Sequence, residues 1–531
     1  MVGPSISTNG SNLQGESRPG YLLLITFVAA MGGLLFGYDW VVIGGAAKFY
    51  EAFFQLKDTA ASVAADAGFW DKVWANAISP VGWAQSCALL GCLIGALVSG
   101  WFSDRFGRKP ILIAAALNFV ISSIGISMTN SFDIFIAWRI LGGVSIGLAS
   151  TASPMYISEV APANRRGLLV AINQLTIVIG ILAAQFVNLM IARPESPELL
   201  ALAAGLKNLT GAELETTKAS YQSLLATTWN ATDGWRWMFA ACTIPSVLFF
   251  IGAIFVPESP RWLTKAGQNA KAQSILSRIG GDIYAAKAEE EIKASLVNED
   301  KHVKFRELLE KPVLMVIIFG CGLAMLQQFC GINVIFNYAV EIFKQAGFNM
   351  DNALVNIVAT GSVNFLFTFV ALFTVDKLGR KPLMVFGFGG LAAIYVVIGY
   401  CYSLQEAAKA TAEATKSIAA VPVEPMVFLL LVLAAIAIYS MSLAPVTWVL
   451  ISEIFPNRIR GTAMSIAVGA LWIGCFILTY TFPILKTVLG IATTFWIYAG
   501  ICVLGTLFMV FFLKETKGKT LEQIEKDAAG K

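Results

Sequence analysis

Asp39 stands deep in the apolar run Gly32-Gly33-Leu34-Leu35-Phe36-Gly37-Tyr38-Asp39-Trp40, and Arg139 in Ile136-Ala137-Trp138-Arg139-Ile140-Leu141. A carboxylate inside hydrocarbon is costly unless it is paired or protonated. Arg139 is the one basic residue away from the ends of the expected spans, so the two predict an ion pair. Such a pair could alternate between ionised-and-paired and protonated-and-free, the chemistry of a proton-coupled cycle, because burial and a nearby cation pull the carboxyl in opposite directions. It could equally be a static tie between two helices. Phe36 lies one turn before Asp39, on what the spacing predicts to be the same face.

A second set of residues is neutral. Gln174, Gln327, Gln328, Asn333 and Asn364 all sit within apolar runs. Each amide offers one acceptor and two donors, which suits ligand hydroxyls that both give and accept. Any one of them alone reads as interhelical glue; the cluster reads as a binding site. The rings of Phe36, Trp448 and Trp472 can pack on the C–H surface of such a ligand. Gly331, between Gln328 and Asn333, predicts a loosened helix that frees backbone groups toward a cavity.

Other chemistries are excluded. The single histidine, His302, lies in a charged segment, so neither an imidazole metal site nor a His-activated nucleophile is available, and no metal is expected. The eight cysteines show no CxxC spacing and read as small packing residues. No glycine-rich phosphate loop follows a strand, so nothing points to ATP. Asp39 has no second deep carboxylate beside it, so a glycosidase pair is absent, and the chain reads as a non-enzyme without a resident cofactor.

The elements that must position these side chains are membrane helices. Hydrophobic residues make up 57% of the 531 and charged residues 14%, against roughly 45–50% and 25% in a soluble domain. That excludes a soluble enzyme, a nucleic-acid-binding module and a disordered chain. Twelve runs are long enough to span a bilayer, since about 20 apolar residues suffice: 21–45, 79–102, 110–129, 133–156, 167–192, 236–256, 312–342, 352–375, 382–402, 425–450, 461–485 and 489–513. The fold class is therefore all-α integral membrane. The first 20 residues are polar and do not read as a cleavable signal. With the N-terminus inside, inside segments hold 26 of the 38 Lys and Arg, Arg139 is in a span and 11 lie outside. This bias predicts that both termini are cytoplasmic. The expected organisation is a tail at 1–20, a six-helix half at 21–256, a cytoplasmic helical linker at 257–311, a second six-helix half at 312–513 and a tail at 514–531. An outside loop at 193–235 contains a predicted helix and sequons at Asn208 and Asn230, which could be glycosylation sites or chance.

The halves repeat. Asp104-Arg105-Phe106-Gly107-Arg108-Lys109-Pro110 recurs as Asp376-Lys377-Leu378-Gly379-Arg380-Lys381-Pro382. Ser158-Glu159 leading to Arg166-Gly167 recurs as Ser452-Glu453 leading to Arg460-Gly461, and Pro257-Glu258-Ser259 is echoed by Lys514-Glu515-Thr516. Parallel six-helix halves with a site between them are an established transporter plan. The charges Asp104, Arg105, Arg108, Glu159, Arg166, Glu258, Asp376, Arg380, Glu453, Arg460 and Glu515 predict a cytoplasmic gate network that pairs across the halves when the inside is closed. The plainer alternative is topology signals and helix caps.

These motifs, with Gly37-Tyr38-Asp39, Pro257-Glu258-Ser259-Pro260-Arg261-Trp262-Leu263, the Gln327-to-Asn333 segment and Glu515-Thr516-Lys517-Gly518, resemble the sugar porters of the major facilitator superfamily. Within that family the chain is most similar to bacterial xylose-type sugar–proton symporters, and the resemblance covers about 21–525. It implies a monosaccharide site at mid-membrane, a proton as coupling ion acting at Asp39, and a multi-pass protein of the bacterial inner membrane, with a monomer as the expected state. A facilitative sugar uniporter and a sugar sensor are the alternatives of the same fold. Leu443 and Ala444 stand where the resemblance implies Trp-Gly, and Leu471 where it implies Gln or Asn. A more apolar wall follows, which would suit a deoxysugar.

Overall fold

The computed structural model describes residues 19–56, 79–162, 165–206, 211–297, 308–348, 350–415, 422–455, 460–515 and 517. Among them there is no strand, and twelve helices are long and apolar enough to cross a membrane. In chain order these spans are Gly20–Phe53, Pro80–Phe106, Arg108–Met128, Phe132–Val160, Leu168–Ile191, Asn230–Phe255, Val313–Asn337, Asp351–Val375, Arg380–Ala408, Pro425–Ile451, Thr462–Leu489 and Ile491–Phe512. Each overlaps one expected from the sequence.

Spans 7 and 10 are broken, and both breaks have a covalent cause; span 6 also turns briefly at Ala241 and Cys242, between Trp235–Ala240 and Thr243–Phe255. In span 7 the helix Lys311–Phe329 stops, Gly331 adopts φ +86°, and the chain resumes as Ile332–Asn337 and Ala339–Gln345. Only glycine takes that conformation without strain. In span 10, Pro425–Met441 gives way to Leu443–Glu453 at Ser442, whose φ and ψ are −125° and −82°. Pro445 lies four residues after Met441; it has no N–H, and its ring crowds the carbonyl four residues back. The first break is the one expected at Gly331; the second goes beyond the sequence reading.

Small residues decide which helices touch. Within the first half, span 2 packs on span 4 and span 1 on span 5; in the second, span 9 packs on span 12 and span 7 on span 11. A methyl group at Gly143 would overlap the Ala88 carbonyl, and one at Gly37 the Ile177 carbonyl, so these backbones meet directly. The halves join along spans 2 and 11, along spans 5 and 8, and where span 1 meets the far end of span 7.

The linker forms helices Pro260–Lys265, Asn269–Gly280 and Asp282–Val297. On the opposite face, the long loop forms Pro197–Gly205 and Gly211–Thr227. Of the two sequons, Asn208 lies outside the described residues. Asn230 is buried; its Oδ1 accepts from the Arg193 N–H at 2.8 Å and its Nδ2 donates to the Arg193 carbonyl at 2.7 Å. That amide clips the two ends of the loop together and is not presented for modification.

Candidate functional site

A cavity of about 110 Å³ lies between the halves. All eight side chains expected there line it: Phe36 from span 1, Gln174 from span 5, Gln327, Gln328 and Asn333 from span 7, Asn364 from span 8, Trp448 from span 10 and Trp472 from span 11. The sequence reading missed Trp40, Phe336, Thr368 and Tyr439, which also line it. Trp40 carried a usable signal, since it follows Phe36 by one helical turn. Tyr439 carried none apart from its nearness to the break in span 10.

The polar lining is chained. Asn333 Nδ2 donates across the break in span 7 to Gln328 Oε1. Gln328 Nε2 donates to Gln327 Oε1 at 2.7 Å, and Gln327 Nε2 to the Tyr439 hydroxyl at 2.5 Å. Ser440 Oγ donates to Asn364 Oδ1 at 2.6 Å. Each of these groups is buried or half-buried, so each needs a partner. A polyol that enters must take over these hydrogen bonds, and its hydroxyls can both give and accept them. The other wall is apolar. Phe36 and Trp40 meet the Trp472 ring from across the halves, both with centroids 5.8 Å apart. Ala444 and Leu471 line the cavity beside it. Leu443, expected to share that wall, is buried and absent from the lining.

Asp39 is not among the lining residues. It turns away from Phe36, contrary to the shared face the spacing predicts, because three residues along a helix rotate a side chain by about 60° from its starting direction. Arg139 Nη1 donates to Asp39 Oδ1 at 3.1 Å, joining spans 1 and 4, and both side chains are at most 5% exposed. Among the described residues the pair is incompletely satisfied: Asp39 Oδ2 and Arg139 Nε are buried without a hydrogen-bond partner. The guanidinium also rests 5.4 Å from the Phe239 ring centre. A buried pair is favourable only when its remaining lone pairs and protons are met. Here one carboxylate oxygen is left open, and that is the atom at which a proton can be held.

The face that carries the two glycine-arginine-lysine loops holds the charges expected to form the gate network. Arg108 Nη2 meets Glu159 at 2.8 Å and Arg380 Nη2 meets Glu453 at 3.0 Å, so both described pairs close within one half. Asp104 is 3.4 Å from Arg108. Arg105 forms no ion pair among the described residues; it lies over the rings of Trp101 and Phe106. Glu258 and Glu515 cap helices. Glu258 accepts from the backbone N–H of Arg108 at 2.9 Å and of Lys109 at 3.2 Å, and Glu515 accepts from those of Arg380 and Lys381 at 3.0 Å each. The carboxylates reach these amides because Gly107 and Gly379, at φ +100° and +95°, have no side chain in the way. Burial pushes the Glu258 carboxyl above its ordinary range, and the N–H donors of Ser259, Arg108 and Lys109 pull it back. The side chains of Arg166, Asp376 and Arg460 lie outside the described residues.

A family model described as "Sugar (and other) transporter" matches residues 25–528. The chain is similar to the D-xylose-proton symporter of Escherichia coli strain K12, at 38% identity over 529 residues and 95% of each chain. It is similar to the arabinose-proton symporter of Bacillus subtilis strain 168, at 35% identity over 507 residues, 96% of this chain and 95% of that one. Among solved structures, the partially occluded inward-open xylose transporter of Escherichia coli aligns with a TM-score of 0.73 at 37% identity, covering 94% of this chain and 100% of that one.

Proposed function

Since the chain belongs to the sugar transporters of the major facilitator superfamily, we propose that it imports a monosaccharide together with a proton by alternating access. The observation that carries this reading is the buried Asp39–Arg139 pair with one carboxylate oxygen unpartnered, one helical turn from the aromatic wall of an amide-lined cavity.

With Asp39 ionised, its attraction to Arg139 ties span 1 to span 4. A proton on Oδ2 removes the charge and leaves a weaker, neutral hydrogen bond. Span 1 is then freer to move against the rest of its half while the sugar engages Gln174, Gln327, Gln328, Asn333 and Asn364. Release of the sugar and proton on the far side restores the pair. Phe36, Trp448 and Trp472 supply the ring faces that pack on the sugar. Arg108, Glu159, Arg380 and Glu453 hold the helix ends within each half, and the cross-half members of the gate network would engage only when that face closes.

The loop-bearing face is cytoplasmic in this reading, with both termini there, because basic residues concentrate on it. The protein works as a monomer in the bacterial inner membrane, since its two halves already enclose the cavity. It needs no cofactor besides the coupling proton. The substrate presents its less hydroxylated edge to Ala444 and Leu471.

The test is uptake by the purified protein in sealed proteoliposomes, with a panel of labelled monosaccharides that includes analogues lacking single hydroxyls. One proton moving down 100 mV supplies about 2.3 kcal/mol, which corresponds to roughly fifty-fold accumulation. Accumulation of that order, with alkalinisation outside, is expected. Equilibration without accumulation would mark a passive carrier, and binding without flux a sensor; either overturns symport. Equal losses for every deoxy analogue would remove the apolar-edge assignment.

A further inference from the structure

The outer piece of span 7, beyond the break at Gly331, touches two quite different environments. At its inner end Asn333 lines the cavity and is tied across the break to Gln328. At its outer end Glu341 is held twice. Lys48 of span 1 lies 2.8 Å from one carboxylate oxygen and Lys486 of span 11 lies 3.2 Å from the other. Lys48 is shared with Glu51 at 3.2 Å. None of these four side chains is more than 29% exposed, so each charge depends on its partners rather than on water.

Two more contacts hold the same piece. A methyl group at Gly44 of span 1 would stand only 2.7 Å from the Phe336 carbonyl oxygen, so the backbones are in direct contact. Lys344 Nζ donates to the Tyr221 hydroxyl at 3.3 Å, and that hydroxyl donates to Glu195 at 3.0 Å. Tyr221 and Glu195 belong to the long outer loop of the first half. The ties to Lys48 and Tyr221 therefore cross from one half to the other, on the face opposite the glycine-arginine-lysine loops.

We propose that Glu341 is a positioning residue: anchored by Lys486 within its own half, it clamps the outer piece of span 7 to Lys48 across the seam between the halves, closes the outer face over the cavity, and sets how much of the protein is open to the outside. The outer loop adds a second hold through Tyr221. This rests on the transport reading above, because it assigns the clamp to one step of that cycle. When the clamp breaks, the outer piece swings away with Asn333, which connects outer opening to the sugar-binding amides.

The test measures both sides of the membrane in proteoliposomes of known orientation, with wild type, Glu341→Gln, Lys48→Gln, the double variant and Glu341→Asp. Loss of the clamp raises the outward-open population, and apparent affinity scales with the competent fraction. For Glu341→Gln the KM for outside sugar is expected to fall about three- to ten-fold, while the KM for inside sugar rises and kcat drops. The double variant should shift no further than either single one, and Glu341→Asp should restore part of the wild-type sidedness. Tyr221→Phe, which removes one hydroxyl, should shift the same way to a smaller extent and covers the case in which Glu341→Gln does not fold. Unchanged or symmetrically changed KM values, or additive effects in the double variant, overturn the clamp. Failure of the wild type to transport any sugar overturns the transport reading instead.

Discussion

The substitution Asp39→Asn would keep the shape of the side chain and remove its ability to gain and lose a proton. The amide oxygen could still accept from Arg139, but the guanidinium would lose its counter-charge in a buried site. Asp39→Asn is therefore expected to reduce accumulation from roughly fifty-fold to about one, while counterflow exchange of labelled sugar persists. A stability loss of about 2 kcal/mol should accompany it, since hydrogen bonds to charged groups contribute more than neutral ones; thermal unfolding in detergent reads this out. Intact concentrative uptake would remove Asp39 from the coupling mechanism. This pair was legible in the sequence, because two opposite charges in apolar runs have few other ways to be tolerated. Its incomplete satisfaction was not, since that depends on side chains of other spans failing to arrive.

At the scale of elements, the two repeated loops are joints. Gly107 lets the Glu258 carboxylate seat on the first amides of span 3, and Gly379 does the same for Glu515 and span 9. Gly107→Ala would place a methyl on the Glu258 carboxylate and force a side chain into a left-handed backbone. Backbone strain and the lost cap each contribute about 1 kcal/mol or more, so a loss of about 2–3 kcal/mol is expected, read as a lowered Tm. Gly379→Ala should behave alike but more mildly, since its methyl would stand 2.8 Å from Glu515. An unchanged Tm in both would mean that the joints carry no load. The sequence showed that these glutamates recur at matching places, yet it could not show whether they meet an arginine of the other half or a backbone amide of their own. The break in span 7 was readable from Gly331, and the one in span 10 was readable in principle from Pro445. The outer clamp was not readable, because Lys48, Glu341 and Lys486 are far apart in sequence and each ends an apolar run as any interfacial charge would.

For the whole molecule, the arrangement places one seam under two kinds of control. On the face that carries the two glycine-arginine-lysine loops the described ion pairs stay within their own halves, so those charges stiffen each half. On the opposite face the Lys48–Glu341 ion pair and the Lys344–Tyr221 hydrogen bond cross between halves, so they resist separation there. The same seam also carries two indoles in mutual contact, Trp40 from the first half and Trp472 from the second, with ring centres 5.8 Å apart. Excited states of rings lying so near each other are electronically coupled, so the protein contains a built-in optical ruler that needs no attached dye. Its near-ultraviolet circular dichroism should change on addition of a transported sugar, and Trp40→Phe should abolish most of that change; an identical response in the variant would mean that these two rings stay together throughout turnover.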